Sequence, residues 1–341
     1  MGAGPSGLAA AINLAKAGYK VSVFERRQDC GWRFGGDLQG LENWSYKEDV
    51  ITSLSRMNVA INFDCKPFST LMVTNGSKTF DLHFTKPLVY LLKRGIAEGS
   101  LDQGLKRQAL DAGVKIYFNK TIPHAQAHIV ATGPNVRELM PGVDIGVIFK
   151  TTMSDTAVAL VHNKAAYRGY AYLLVTNGYG CMCAVALDNR ANECFEETKA
   201  IFSRMFTLDM REPKKVGGIG AFAIKNSFKQ NDALLIGEAA GIQDALWGFG
   251  IRSALVSGYL AAQSIIRNTD YETTAKRHFT KRLKASVVNR FLWEALNGKS
   301  YVFFLKVLEK IKDPQRFLYE SYNYTFIQKM LYPLARIYGK F

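Results

Sequence analysis

Cysteine is sparse and scattered in this sequence. Cys30, Cys65, Cys181, Cys183 and Cys194 make an odd set with no metal-ligand spacing and no secretory signal ahead of them. A disulfide framework and a zinc site are both excluded on those grounds, and a reducing, cytoplasmic setting is expected. The five histidines, His83, His124, His128, His162 and His278, are dispersed, and no Ser/His/Asp arrangement accompanies them, so neither hydrolysis nor metal chemistry has support. No apolar run approaches the roughly 18 residues of a membrane span. Acidic residues are the scarcer charge, with 29 Asp and Glu against 44 Lys and Arg for a formal charge of +15.

What is present is a globular composition, 48% hydrophobic and 21% charged over 341 residues, which rules out disorder. A chain of this size can bury about 75% of the surface its unfolded form exposes, and its length suggests two domains. Gly2-Ala3-Gly4-Pro5-Ser6-Gly7 runs into the Ala-rich stretch Leu8 to Ala17, a strong helix former closed by Gly18. Tyr19 to Glu25 then reads as a buried strand ending in an acid. Glycine turn, helix, strand and acid follow the order of a dinucleotide-binding unit. Glu25 lies 23 residues after Gly2, close to the spacing of a carboxylate that holds a ribose hydroxyl.

Within that turn Gly2 allows the tight bend, Gly4 lets phosphates approach the backbone, and Gly7 lets the helix pack close to the strands. Only Met1 precedes Gly2, where such motifs ordinarily follow a central strand. The expectation is therefore a first strand that looks truncated, with the functional start upstream. Residues 28–50, rich in Gly and Trp without a period, read as a loop crossing the cofactor face. Short strands are expected from Val59 to Phe84 around a turn at Thr74 to Ser77. A helix from Leu101 to Ala112 leads to strands Val114 to Phe118 and Ala127 to Ala131. Between Val147 and Ala223 lies a mostly antiparallel layer, with a hairpin turn at Asn177-Gly178 and a helix from about Asn192 to Phe206. Ala233 to Ile236 returns as a buried strand, followed by a helix from about Gly250 to Arg267.

Two remote glycine motifs together carry a resemblance. Gly2 to Gly7 with Glu25, Gly237-Glu238-Ala239-Ala240-Gly241, and Trp247-Gly248-Phe249-Gly250-Ile251 resemble the glutathione-reductase-type FAD fold of the superfamily of geranylgeranyl reductases, lycopene cyclases and aromatic hydroxylases. The resemblance covers about residues 1–270 and implies an α/β fold. A Rossmann-like FAD-binding domain (1–60, 85–146 and 225–270) would carry an inserted, mainly antiparallel substrate domain (61–84 and 147–224) and a helical basic tail (271–341). It implies FAD rather than NAD, with Gly2, Gly4, Pro5, Ser6, Gly7, Glu25 and Arg26 at the pyrophosphate and adenosine. The superfamily's usual second motif has Asp where this chain has Glu238; with Gly237 and Gly241 that acid would meet the ribityl or pyrophosphate region. Gly248, Gly250 and Ile251 would meet the flavin ring. Thr132 and Gly133 resemble the segment that closes over the adenosine, the alternative being a plain strand-ending turn. Gly36 falls where geranylgeranyl reductases carry a Cys-Gly pair. Arg94 is either an arginine near the pyrophosphate or a solvated surface cation. No catalytic residue is identified, and Cys30 is not read as a reactive thiol.

The resemblance implies reduction of a carbon-carbon double bond in a prenyl or lipid-like substrate by hydride from reduced flavin. Electrons would come from NAD(P)H or a reduced carrier. An Asp-Gly pair usual in aromatic hydroxylases is replaced by Ala131-Thr132-Gly133-Pro134, which weakens a monooxygenase alternative. A redox-neutral cyclase and an inactive binding module also stand as alternatives. Tyr167, Tyr170, Tyr172, Tyr179 and Phe222 are candidate pocket aromatics, or plain core. The stretch from Asp270 to Phe341 holds fourteen Lys and Arg against six acids. Phe279, Leu283, Val287, Phe291 and Ala295 form an apolar stripe there, with Lys276, Arg277, Lys281 and Lys284 off it. That pattern fits either packing on the flavin domain or peripheral contact with an anionic membrane. No nucleic-acid partner is expected, because no recognition module is present.

Overall fold

The computed structural model describes residues 1–134, 140–188, 190–222, 225, 227–297 and 301–338. The glycine turn opens helix Pro5–Lys16, with Pro5 in its first turn where its missing N–H costs nothing. Strand Ser22–Phe24 pairs in parallel with Lys115–Tyr117, and Ile129–Val130 pairs in parallel with Ala233–Leu235. Residues 1 and 2 lie between these pairs. The Met1 ammonium donates to Ile129 O, Met1 O accepts from Ala131 N, and Gly2 N donates to Phe24 O. The resulting order, Lys115–Tyr117, Ser22–Phe24, Met1-Gly2, Ile129–Val130, Ala233–Leu235, is that of a doubly wound sheet.

Helix Pro5–Lys16 packs on helix Ile251–Ile266 and helix Leu101–Asp111. The first contact is a backbone approach: a Cβ on Gly258 would stand 2.1 Å from Ser6 O. The main core of Leu8, Ile12, Leu54, Leu92, Leu101, Leu105, Ile236 and Leu255 lies around these helices.

A second layer is a three-stranded antiparallel sheet in the order Leu38–Glu42, Val89–Lys93, Cys65–Phe68. The strand at Leu38–Glu42 corrects the expected loop over 28–50. Gly40 interrupts its hydrophobic pattern, and the Phe249 ring occupies the space a side chain there would need, at 2.8 Å. Its pairing with Val89–Lys93, not its own alternation, makes it a strand.

The third layer is a seven-stranded sheet ordered Arg211–Phe222, Met140–Lys150, Tyr179–Ala186, Tyr170–Thr176, Thr156–Leu160, Thr70–Thr74, Thr79–His83. Every pairing is antiparallel except Thr156–Leu160 with Thr70–Thr74. The hairpin turns at Asn177-Gly178 and around Gly76 fall where expected. The expected domain limit at 146/147 lies inside strand Met140–Lys150, and Cys65–Phe68 pairs with the three-stranded sheet rather than the large one. Gly142 and Gly146 interrupt the strand's apolar alternation, so its start does not show in the sequence pattern. Helix Ala191–Met205 covers one face of the large sheet through Cys194, Ile201 and Phe202.

The C-terminal region is helical: Tyr271–Asn297, Val302–Lys310, Pro314–Ser321 and Phe326–Tyr338. The stripe expected on the first of these is buried at Phe279 and Val287, half-buried at Leu283 and Phe291, and exposed only at Ala295. That helix packs against the body, so its apolar face is not the one offered to a membrane. No helix among the described residues is long and apolar enough to cross a membrane.

Candidate functional site

A single cavity of about 780 Å³ runs from the glycine turn to the inner face of the seven-stranded sheet. The helix Pro5–Lys16 begins at its wall. Gly4 is the N-cap and provides no side-chain cap, and a Cβ built on it meets nothing within 4 Å, so its backbone opens on the cavity. The first intrahelical bond is Leu8 N to Gly4 O, which leaves the first-turn amides of Ser6 and Gly7 without an acceptor in the helix. Glu25 closes this end, its Oε2 accepting from Ala3 N at 2.8 Å and its Oε1 from Arg27 N at 2.9 Å.

A second helix start faces the same space. Gly248, Gly250, Ile251 and Ala254 line the wall where helix Ile251–Ile266 begins, and Gly250 also gives that helix no side-chain cap. Neither helix has an acid in its first turn, so neither positive dipole end is offset by one there.

The wall includes Gly2, Gly4, Pro5, Ser6, Glu25, Arg26, Arg94, Thr132, Gly133, Glu238, Gly248, Gly250 and Ile251 among the residues expected from sequence. Gly7, Gly36, Gly237 and Gly241 stand behind it. Gly7 has the close-packing role expected of it, since a Cβ there would be 2.1 Å from Gly2 O. Gly36 O accepts from Tyr179 Oη at 2.8 Å. Gly237 abuts Ser6, and Gly241 ends the turn Gly237–Ala240 in a left-handed conformation. Arg94 is no solvated cation: it is 4% exposed, donates from Nε and Nη2 to the two Asp102 oxygens at 2.9 Å each, and reaches Gln39 Oε1 at 2.8 Å. Burial, with Asp29 alongside, pushes the Cys30 thiol up to about 12, consistent with an unreactive group.

Several wall residues escaped the sequence reading. Arg33 Nη1 donates to Glu238 Oε2 at 3.2 Å, while burial pushes the Glu238 carboxyl up against the opposing pull of Arg33. Asp37 and Asp144 also face the cavity. Burial and then the Asp37 charge push Asp144 up to about 6, with Arg33 pulling the other way. The one signal available for Asp144 was a lone acid in the run Gly142-Val143-Asp144-Ile145-Gly146.

Of the expected aromatics, Tyr170 and Tyr172 line the cavity, whereas Tyr167 packs toward helix Ala191–Met205 and Tyr179 turns to Gly36. The side chain of Phe222 lies outside the described residues. Trp44, Trp247, Phe249, Trp293 and Phe304 add aromatic surface that the sequence did not single out as pocket lining, together with Leu71, Val73, Leu82 and Leu174. Trp247 stands edge-on to Trp293 at 4.9 Å and to Tyr170 at 5.7 Å. Two chemistries thus share one space: amides, carboxylates and guanidiniums at the Rossmann end, and an apolar chamber under the sheet closed by the C-terminal helices. Among the described residues no group of His, Cys, Asp or Glu could hold a metal ion.

This donor set fits a dinucleotide. Free amides at one helix start suit a pyrophosphate, a carboxylate suits a ribose, and a second helix start at the other end suits a group that gains negative charge.

Residues 1–39 match a family model described as an NAD(P)-binding Rossmann-like domain. No curated protein matches the chain. Among solved structures, a geranylgeranyl bacteriochlorophyll reductase-like protein from Thermoplasma acidophilum is similar at a TM-score of 0.75 and 16% identity, over 98% of this chain and 97% of that one. The flavin-dependent brominase Bmp2 aligns at 0.66 and 15% identity over 99% and 98%. The p-nitrophenol 4-monooxygenase PnpA from Pseudomonas putida aligns at 0.59 and 14% identity over 95% and 96%. The resemblance drawn from the glycine motifs therefore holds at the level of the fold: a Rossmann-like unit, an antiparallel sheet layer and a helical C-terminal region in the arrangement those proteins share.

Proposed function

We propose that this chain is an FAD-dependent oxidoreductase that reduces a carbon-carbon double bond in a prenyl or other lipid-like substrate. The observation that carries the reading is the pair of uncapped helix starts facing one cavity that continues into an apolar chamber. In this reading the Gly2, Gly4, Ser6 and Gly7 backbone holds the pyrophosphate while Glu25 and Arg26 meet the adenosine ribose. Thr132 and Gly133 close over the adenosine. Arg94 and Arg33 would stand at the wall, oriented by their pairs with Asp102 and Glu238, and Glu238 would hold a ribityl hydroxyl. Gly248, Gly250 and Ile251 present amides to the ring edge. FAD bound there would supply the hydride, its electrons coming from NAD(P)H or a small reduced carrier.

The remaining work belongs to the chain. Trp44, Trp247, Trp293 and Phe304 exclude water and hold an apolar chain in place. Asp144, with its carboxyl at about 6, keeps a proton in part of the molecules at neutral pH and is the acid we assign to the second carbon of the reduced bond. Fold similarity to a reductase-like protein supports the reductase reading, and the similarity to a brominase and a monooxygenase makes oxygen use the outcome to test against.

The test is the absorbance spectrum of the purified protein, then anaerobic addition of dithionite or NADPH. Flavin bands near-stoichiometric with protein, bleached on reduction and restored by an unsaturated lipid without oxygen uptake, are expected. Folded protein that takes up no flavin from added FAD would remove the reading. Substrate-dependent oxygen uptake with a hydroxylated product would turn it to a monooxygenase.

A further inference from the structure

Helix Phe326–Tyr338 is apolar on two sides: Leu331, Tyr332 and Ala335 pack on the body against Val287, Val288 and Phe291, and a second apolar face is left over. Toward the body it buries Gln328 and Ala335, and Gln328 Nε2 donates to Asn289 Oδ1 at 2.8 Å and Ser321 O at 2.7 Å. Away from the body it presents Phe326 (75% exposed), Ile327 (67%), Met330 (68%), Leu334 (54%) and Ile337 (78%). These positions recur at three- and four-residue steps, so they form one continuous apolar stripe on the helix surface. Scattered exposed apolar residues need no account, but a contiguous stripe marks a surface made for something other than water.

We propose that this helix is an interfacial anchor that lays the protein on an anionic lipid surface, its stripe at the level of the acyl chains. Charge selects that occupant. Lys329 and Arg336 are exposed on the helix, and no Asp or Glu follows Glu320 to the end of the chain. A second copy of this chain would bring a like-charged surface onto the patch in a molecule of formal charge +15. Thirteen residues rise about 20 Å, short of the roughly 30 Å hydrocarbon core, so the helix lies in the interface and does not span it.

The proposal stands apart from the reading of the cavity. It would also explain how a lipid-like substrate is reached, because Phe303 and Phe317, in the same C-terminal region, are exposed and line the cavity wall.

Flotation of the full chain with vesicles tests it, using an equal mixture of phosphatidylcholine and phosphatidylglycerol beside phosphatidylcholine alone. Binding to the anionic vesicles, weakened by salt, is expected. Ile327→Glu with Ile337→Glu should weaken it by at least about tenfold, since each change puts a charge where the lipid would bury an apolar side chain. Both positions are exposed, so an unchanged circular dichroism melt shows that the fold is kept. Lys329→Gln with Arg336→Gln should remove most of the salt dependence. Wild-type protein that stays unbound, or an Ile327→Glu/Ile337→Glu variant that floats as wild type, overturns the proposal. So does a concentration-dependent dimer that the same variant dissociates while vesicle binding is absent.

Discussion

Glu25 and Glu238 are two of the carboxylates that a dinucleotide would meet at the Rossmann end of the cavity. Glu25 already accepts two backbone amides, so its charge is held in place before any ligand arrives. Glu25→Ala and Glu238→Ala should each lower flavin retained per protein by at least about tenfold. The ratio of flavin absorbance to protein absorbance after gel filtration measures this. Asp144 gives a prediction of a different kind. Its raised carboxyl keeps a proton in the folded state that the unfolded chain has already lost. The folded protein therefore binds more protons between about pH 4 and 6, and stability falls as pH rises through that window. Asp244, pushed up to about 6 mainly by burial, adds a contribution of the same sign. Asp144→Asn should raise stability at pH 7 by about 1–2 kcal/mol and flatten the pH dependence of the urea midpoint. If Asp144 is the proton donor, the same change slows reduction most at low pH, and wild-type turnover falls above about pH 6. At this scale the sequence exposed the glycines and Glu25, whose spacing is set by the turn itself. It concealed the meeting of Arg33 and Asp37 with Asp144, which comes about only because the loop before strand Leu38–Glu42 packs against the seven-stranded sheet.

Elements show why the glycine motifs matter beyond the ligand. Helices Pro5–Lys16 and Ile251–Ile266 cross so closely that Gly258 faces the Ser6 carbonyl with no room for a methyl group. That crossing brings two helix starts, distant in sequence, to one cavity. Gly258→Ala should destabilise the protein by about 1–3 kcal/mol, since backbone cannot give way as a flexible side chain can. It should also weaken flavin binding, although Gly258 does not line the cavity. Urea denaturation and FAD titration of the same variant separate the two effects. Helices Leu101–Asp111, Ala191–Met205 and Ile251–Ile266 are legible to within a residue or two because propensity and apolar period agree there, with a Ser100 cap on the first. Leu38–Glu42 was not legible, because a glycine in its middle answers to Phe249 and not to the strand pattern.

At the scale of the whole molecule the cavity belongs to no single unit. The Rossmann end comes from the glycine turn, residues 131–133 and residues 238–254, the roof from the seven-stranded sheet, and further wall from the three-stranded sheet and from helices after residue 271. The basic tail announced its charge in the sequence but not its place as a wall, since Trp293, Phe304 and Leu308 face the cavity from helices whose order alone says nothing of what they cover. This division predicts that the two halves of the site can be damaged separately. Trp293 is 6% exposed and packs against Trp247, Tyr301 and Phe304, far in the chain from the glycine turn. Trp293→Ala should cost about 3 kcal/mol of stability by opening a hole among those rings. It should leave flavin content unchanged while weakening retention of a long-chain unsaturated lipid by at least about tenfold. Co-purified flavin and lipid bound at equilibrium, measured on one preparation, provide the two readings. Loss of both together would show that the cavity folds as one cooperative unit. Loss of neither would place the apolar ligand elsewhere.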